Sequence, residues 1–561
     1  MERNGSRVPH DIGSYPFDLI VVGAGINGAG IARDAAMRGL KVLLLDKGDI
    51  SSGTTSWSTR LAHGGLRYLQ HYEFFLVRES LKDREILLRM APHLVKALGF
   101  LVPIYEHMSH GKLMIQLGMM AYDVLSVEKS VESHSIFDRE QALEREPGLN
   151  PEGLKGAAFY YDAQAEYAER LAVENAVSAR DHGTVVLTYA GVERLAVENG
   201  RVVGVEFVDA LSGERYEARA PVTVNVAGPW VDEVLKEMDL YGSSEERMIG
   251  GTKGSHLVVD PFPGAPRSAL YVEAREDGRP YFILPWNGRY LIGTTDIRYE
   301  GDLDLVVADD EEIDYLINET NFVIPEANLT RDDVLFTYSG VRPLPYEPEG
   351  EEGSVTRSHI IYDHSEKDPR VDGLFSIIGG KLTTYRNLSR ETVDQVYEKL
   401  GRKAPRCRTA EVPLPGGAAE DFEAFAAEFK ATSGLAEELA ERLLKLYGAC
   451  APDVLELAGD DSSLKVPLIS PASAETGIIG AEVLYAFRRE LAEKLGDVLM
   501  RRSMVGLGPR VGLDVDEAAA QVAVRHLGWS QERADREVKE FRDYVRRFRP
   551  KEYGEREPTR A

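Results

Sequence analysis

The run Phe17-Asp-Leu-Ile-Val-Val22 is short and nearly continuously apolar, and Gly23-Ala-Gly25-Ile-Asn-Gly28-Ala-Gly30 follows it at once. Ile31, Ala35 and Ala36 then recur at helical spacing, Gly39 ends the helix, and Lys41-Val-Leu-Leu-Leu-Asp46 reads as a second buried strand. This is a complete unit of strand, glycine turn, helix and strand. Gly23 permits the tight turn, Gly25 lets the backbone approach a pyrophosphate, and Gly28 lets the helix pack on the strand. From Ile26 on, the helix N-terminus offers amides and a positive dipole end to phosphates. Asp46, 18 residues after Gly28, stands where a carboxylate accepts ribose hydroxyls and argues against a 2′-phosphorylated nicotinamide. The motif predicts dinucleotide binding and leaves FAD and NAD open.

Composition narrows the setting. At 561 residues the chain has room for roughly three to four units of ~150 residues. With 43% apolar and 28% charged residues it reads as globular, neither collagen-like nor low in complexity. Asp and Glu number 92 against 66 Lys and Arg, a formal charge of -26, so the basic footprint of a nucleic-acid binder is missing. An anionic substrate then requires a local basic cluster. Cys407 and Cys450 fit a reducing setting, and no zinc or iron-sulfur site is built from them. Met1 to Pro16 lacks the apolar stretch of a secretory signal. The longest charge-free run, Leu19–Ala32, has 14 residues, short of the ~20 that a bilayer span needs.

Beyond Asp46 the chain continues as Ser51-Ser-Gly-Thr-Thr-Ser-Trp-Ser-Thr-Arg60 and Leu61-Ala-His63-Gly64-Gly65-Leu-Arg67-Tyr68, which no NAD fold requires. The stretch from Asp46 through this segment closely resembles the FAD-dependent, quinone-linked glycerol-3-phosphate dehydrogenases of the glycine-oxidase-like flavoprotein group. Val222-Thr-Val-Asn-Val-Ala227-Gly228-Pro-Trp230 is similar to that group's second dinucleotide-contact strand. Ser339-Gly340-Val-Arg342-Pro343 and Leu374-Phe-Ser-Ile-Ile-Gly379-Gly380-Lys381-Leu-Thr383-Thr384 match in order and spacing. Strand character in Lys253–Val259 and Pro280–Trp286, with Leu291–Asp296 following, suggests an antiparallel sheet roofing the flavin. Ala534, Val538, Phe541, Val545 and Phe548 fall on one helix face, as do Phe422, Phe425 and Phe429. The resemblance runs from about Phe17 to about Phe548.

It implies an α/β fold: a Rossmann-like FAD-binding domain of the glycine-oxidase-like type, an antiparallel β substrate (cap) domain, and a C-terminal α-helical domain. The expected layout is a discontinuous FAD domain within 1–400, interleaved with substrate-domain residues roughly 70–150 and 235–350. A linker at 401–417 and a helical domain at 418–561 complete it. The cofactor set that the resemblance implies is Gly23, Gly25, Ile26, Gly28, Asp46, Lys47, Thr54, Thr55, Ser58, Thr59, His63, Gly64, Gly65, Ala227, Gly228, Gly380, Lys381, Leu382 and Thr383. The last three would lend backbone amides at a helix start to the pyrimidine edge of a reduced flavin.

Oxidising a secondary alcohol removes a hydride from carbon and a proton from oxygen. For sn-glycerol 3-phosphate, oxidised to dihydroxyacetone phosphate, the resemblance implies Arg67, Tyr68, Arg342 and Arg357 at the substrate, and arginine forks match phosphate oxygens. His256 and His63 are the natural proton acceptors near neutral pH, His256 preferred, with Lys381 helping to hold negative charge. Lys381 as a solvated helix-start lysine is the bland alternative.

The resemblance further implies ubiquinone or menaquinone as acceptor, a cytoplasmic enzyme peripheral on the inner face of the cell membrane, and is compatible with a homodimer. Leu113-Met-Ile-Gln-Leu-Gly-Met-Met-Ala-Tyr122, flanked by His107, His110, Lys112 and Asp123, is a candidate interfacial helix or a core helix. Three other readings are an oxygen-using glycerol-3-phosphate oxidase, an amine or amino-acid oxidase, and a non-catalytic FAD-binding assembly protein. Such oxidases generally carry an insertion for which no long unassigned segment is available.

Overall fold

The structure, a computed structural model, describes residues 7–66, 68, 73–108, 112–126, 130–236, 247–347, 356–367, 371–468 and 477–551. A six-stranded sheet runs in the order Ile360–Asp363, Leu374–Ile378, Val222–Asn225, Leu19–Val22, Val42–Leu45, Val185–Leu187. All neighbours are parallel except the first pair. Leu19–Val22 and Val42–Leu45 are buried at every position, so they read as continuous apolar runs rather than alternations. The period of two persists inside that burial. Leu19, Val21 and Leu44 pack under the helices Ile26–Met37, Ala168–Asp181 and Tyr385–Lys399. Ile20, Val22, Leu43 and Leu45 pack on the other face against Leu195, Val205 and Phe207 of a small antiparallel sheet, Ala190–Glu198, Arg201–Asp209 and Arg215–Arg219. Truncating one such leucine to alanine costs about 2–5 kcal/mol, because neither face can collapse around the void.

The second sheet has ten strands and is mostly antiparallel. Thr252–Val259 lies between Val334–Arg342 and Arg289–Gly293, with His256 opposite Tyr338 and Thr252 opposite Arg342. At its far end Leu61–Ala62 pairs with Ala163 and Gln164. The segment after the dinucleotide turn is thereby stitched to the second sheet, and the mouth between the sheets becomes one cavity.

Residues 401–417 are packed rather than a free tether. Arg33, buried in the first helix, donates to the carbonyls of Val412 and Pro413 at 2.8 and 3.0 Å, and Leu414 is buried. Beyond lie helices that include Phe422–Thr432, Glu437–Tyr447, Gly480–Arg489, Asp516–Leu527 and Gln531–Val545. Ala534, Val538, Phe541, Val545 and Phe548 are all buried there, whereas of the three phenylalanines at 422, 425 and 429 only Phe429 is. Among the described residues no helix is long and apolar enough to cross a membrane.

Candidate active site

The glycine turn is set by steric necessity. A Cβ on Gly28 would meet the Gly23 carbonyl oxygen at 1.8 Å, and Gly23 itself sits at φ +112 against Val226. The Asp46 carboxylate, at the end of its strand, accepts from the Ala24 and Gly48 amides at 2.6 and 2.8 Å. Burial pushes this carboxyl upward against those two hydrogen bonds.

The hydroxyl-rich segment serves the protein's own wiring. Thr54 donates to the Val341 carbonyl at 2.6 Å, the Ile26 amide donates to Thr55 Oγ1 at 3.1 Å, and Ser58 donates to the Thr55 carbonyl at 3.1 Å. Thr59 Oγ1 lies 3.0 Å from His256 Nε2. These residues line the cavity, but their hydroxyls tie the first βαβ unit to the second sheet. Lys47 stands at the rim, its ammonium 2.9 Å from Asp304 and over the Trp230 ring.

His63, Gly64 and Gly65 are held from both sides. The His63 amide donates to Thr383 Oγ1 at 3.0 Å. The Gly64 amide faces Tyr122 Oη and Asp162, at 3.0 and 3.3 Å. Asp162 is buried and receives Tyr122 and Arg84 as well. Gly379 and Gly380 turn the chain at φ +75 and +98, and a Cβ on Gly380 would meet the Asn27 amide group at 2.7 Å. The helix expected at Lys381 begins only at Tyr385, with Thr384 as its cap. Two left-handed glycines make a turn first, so Lys381, Leu382 and Thr383 approach the cavity as turn residues aligned with the helix end.

The residues expected at the cofactor, Ala227 and Gly228 included, border one cavity of about 1030 Å³, except Gly28 and Gly64, which do not line it. Gly25 meets only the Thr55 hydroxyl within 4 Å of an added Cβ, and Gly228, at φ +61, meets nothing. Backbone is therefore bare along the cavity wall beside a ribose-type acid. A dinucleotide fits this cradle.

The same cavity has a cationic end. Arg342 Nη1 and Arg357 Nη2 reach the two oxygens of Asp296 at 2.9 and 3.2 Å. Arg342 also donates to Thr294 Oγ1 and the Thr295 carbonyl, both at 3.2 Å. Burial favours the neutral acid at Asp296, but Arg342 and Arg357 outweigh it and hold the carboxyl below the usual range. Arg279 donates to the Asp296 carbonyl and has Asp277 at 3.5 Å. Two guanidiniums on one carboxylate leave a positive surplus facing the cavity. Asp296 and Arg279 are absent from the sequence-derived site. An acid closing an apolar strand as Gly293-Thr-Thr-Asp296 was the available signal, but only tertiary pairing gives it meaning. Arg67 lies outside the described residues.

Lys381 is no solvated lysine. Its ammonium donates to Ser80 Oγ at 2.8 Å and lies 4.2 Å from the Tyr68 ring centroid. Burial lowers its pKa to about 7, against the pull of Asp162 and Glu79. Burial and Lys381 push His63 down to about 3. His256 is stacked on Tyr338 at 4.7 Å and held well below its usual value by burial and by Arg342. Its Nδ1 has no hydrogen-bond partner among the described residues. Both imidazoles are neutral at pH 7 and weakly basic. Of the three groups, Lys381 is the one whose pKa lies near neutral.

A bare-backbone cradle at the carboxyl ends of a parallel sheet, opening into a cationic pocket roofed by a second sheet, defines a dinucleotide-dependent oxidoreductase. The family model "FAD dependent oxidoreductase" matches residues 18–379, and "C-terminal domain of alpha-glycerophosphate oxidase" matches residues 407–534. A glycerol-3-phosphate dehydrogenase of Synechocystis sp. is 48% identical over 95% of this chain and 97% of its own length. The aerobic glycerol-3-phosphate dehydrogenase of Staphylococcus haemolyticus is 33% identical over 89% of each chain. A Bacillus halodurans glycerol-3-phosphate dehydrogenase solved with FAD superposes at TM-score 0.77, with 31% identity and 96% of each chain covered. The chain belongs to the FAD dependent oxidoreductase family, in its glycerol-3-phosphate dehydrogenase group, and its cofactor is FAD. Glycine oxidase of Geobacillus kaustophilus, 20% identical at TM-score 0.53, shares the fold over 71% of this chain.

Proposed function

We propose that the protein oxidises sn-glycerol 3-phosphate to dihydroxyacetone phosphate at FAD and passes the electrons to a respiratory quinone at a membrane surface. The observation that carries the reading is that one cavity is lined by the dinucleotide cradle, by the Arg342–Asp296–Arg357 cluster and by Lys381. Bound FAD supplies a two-electron acceptor for the hydride on C2. Arg342 and Arg357 bind the phosphate through paired N–H donors, and Asp296 keeps the two forks convergent before substrate arrives. Neutral Lys381 takes the C2 hydroxyl proton, neutral His63 orients that hydroxyl by hydrogen bonding, and His256 holds Thr59 in place behind the site. The amides of Lys381, Leu382 and Thr383 stabilise the negative charge that follows. The glycerol-3-phosphate relatives support this substrate.

One anaerobic titration tests it. A single equivalent of sn-glycerol 3-phosphate should bleach the visible flavin band completely, and amino acids should not. Peroxide formed stoichiometrically under air, with quinone making no difference, would move the assignment to an oxidase.

The membrane part of the proposal rests on the helix Lys112–Leu125. Met119 and Tyr122 are buried, but Met114, Leu117, Met120 and Val124 form an exposed apolar face, and Phe75 on the neighbouring helix is 93% exposed. Such a face inserts at the acyl boundary where a quinone dissolves. Changing Met114, Leu117 and Val124 together to serine should abolish liposome binding while leaving dye-linked turnover intact; unchanged binding discards this contact.

A further inference from the structure

The cavity does not end at the ribose acid. Beyond Asp46 and Lys47 its wall passes to the helical module, to Asp497, Arg501, Tyr544 and Arg547. We propose that this module is a component of the FAD site: it forms the outer wall at the adenosine end, so that cofactor binding and docking of the module stabilise one another.

Two independent ties place the wall. On the inner side, Tyr189 follows the strand next to Val42–Leu45. Its amide donates to the Gly48 carbonyl at 2.8 Å, and its hydroxyl donates to Asp497 at 2.5 Å. Asp49, fully buried, receives Arg501 at 2.5 Å and both Nη atoms of Arg502 at 2.8 Å, while Arg501 also reaches Asp497 at 2.8 Å. A π-helical turn, Val498–Arg502, presents these two consecutive arginines to one carboxylate. Asp49, three residues after the ribose acid, thus forms one buried ionic unit with Asp497, Arg501 and Arg502, which docking completes and undocking would expose.

On the outer side Arg547 donates to the Asp304 carbonyl at 2.9 Å, and the Asp304 carboxylate pairs with Lys47. Phe548 packs on Trp57 at 5.1 Å. The Arg547 guanidinium lies 4.3 Å from the Tyr544 ring centroid, so the two side chains line the cavity as one stacked pair. Tyr544 gives the same wall an aromatic ring. A ligand gripped by two modules pays less to bind when they are already docked, and docks them by mass action.

The test uses the full chain with its flavin removed and restored, read by amide hydrogen exchange. Protection at residues 495–502 and 537–548 should fall at least tenfold on FAD removal. FAD should restore it, ADP should restore it alone, and FMN should not. Equal protection with and without FAD, no response to ADP, or restoration by FMN as good as by ADP would each overturn the proposal. The Tyr544→Ala variant should release FAD about tenfold faster by fluorescence, with the apo protein melting as wild type does; an unchanged release rate counts against the wall. The inference rests on FAD being the cofactor. Failure of FAD itself to rebind would strike that premise, whereas rebinding without protection strikes the inference alone.

Discussion

The two ends of the cavity are built by different means. The cradle is a backbone device: Gly23, Gly25 and Gly28 work by lacking a side chain, and Asp46 acts through amides on either side of it. The anion end is a side-chain device, in which Arg342, Arg357 and Asp296 come from three separated segments and are held by mutual charge. A backbone device fails by steric exclusion, all at once, whereas a charge cluster degrades in steps.

The largest effect should come from Gly28→Ala. The added methyl has the Gly23 carbonyl at 1.8 Å, so the helix must lift off its strand, at a cost of about 3 kcal/mol. Purified protein should carry almost no flavin by absorbance and melt well below wild type. Normal flavin content would show that the cradle is not sterically closed. Next, Lys381→Gln should lower kcat roughly 10²-fold or more, the usual share of a general base. It should also flatten the pH profile. With a pKa of about 7 the proton-accepting form grows as pH rises, so wild-type kcat/KM should climb through about 7 and the variant's should not. The fold holds this lysine's pKa below its unfolded value, so its penalty is full below pH 7 and its share of stability improves from about 7 upward. A retained ascending limb would show that Lys381 is not the group whose deprotonation sets the rate.

Arg342→Ala should cost roughly 10²-fold in kcat/KM, two charge-assisted hydrogen bonds' worth, with FAD content unchanged. Loss of flavin would mean that the two ends are one device after all. Smallest is Asp296→Asn. The arginine pair loses its counter-charge, so inorganic phosphate should inhibit more strongly while kcat falls about tenfold, because the forks no longer converge. Weaker phosphate inhibition would show that Asp296 does not compete with the anion.

The same contrast explains what could be read in the chain. The cradle is contiguous, so spacing alone carried it, down to the left-handed Gly39 that stops the first helix. The anion end was legible only where a family motif flagged an arginine. Asp296 reads as the end of a strand, and nothing in the local sequence singles out Arg279. The basicity of Lys381 is a matter of burial under Ser80 and Tyr68, which no local pattern records. The helix expected at Lys381 was displaced because two successive left-handed glycines turn the chain first. The helix 112–125 has two faces that the sequence alone does not separate, since Met119 and Tyr122 are buried and Met114, Leu117 and Val124 are exposed.

The central strand Leu19–Val22 pairs with Val42–Leu45 on one side and Val222–Asn225 on the other, and the sheet is extended by Leu374–Ile378. Order of synthesis therefore matters. A ribosome adding about 5–20 residues per second leaves the first strand with an unsatisfied edge for roughly 10–40 s before residue 222 emerges, and Asp49 waits longer still for Arg501. The nascent βαβ unit spends that interval as an apolar half-sheet, a substrate for chaperones before it is one for flavin.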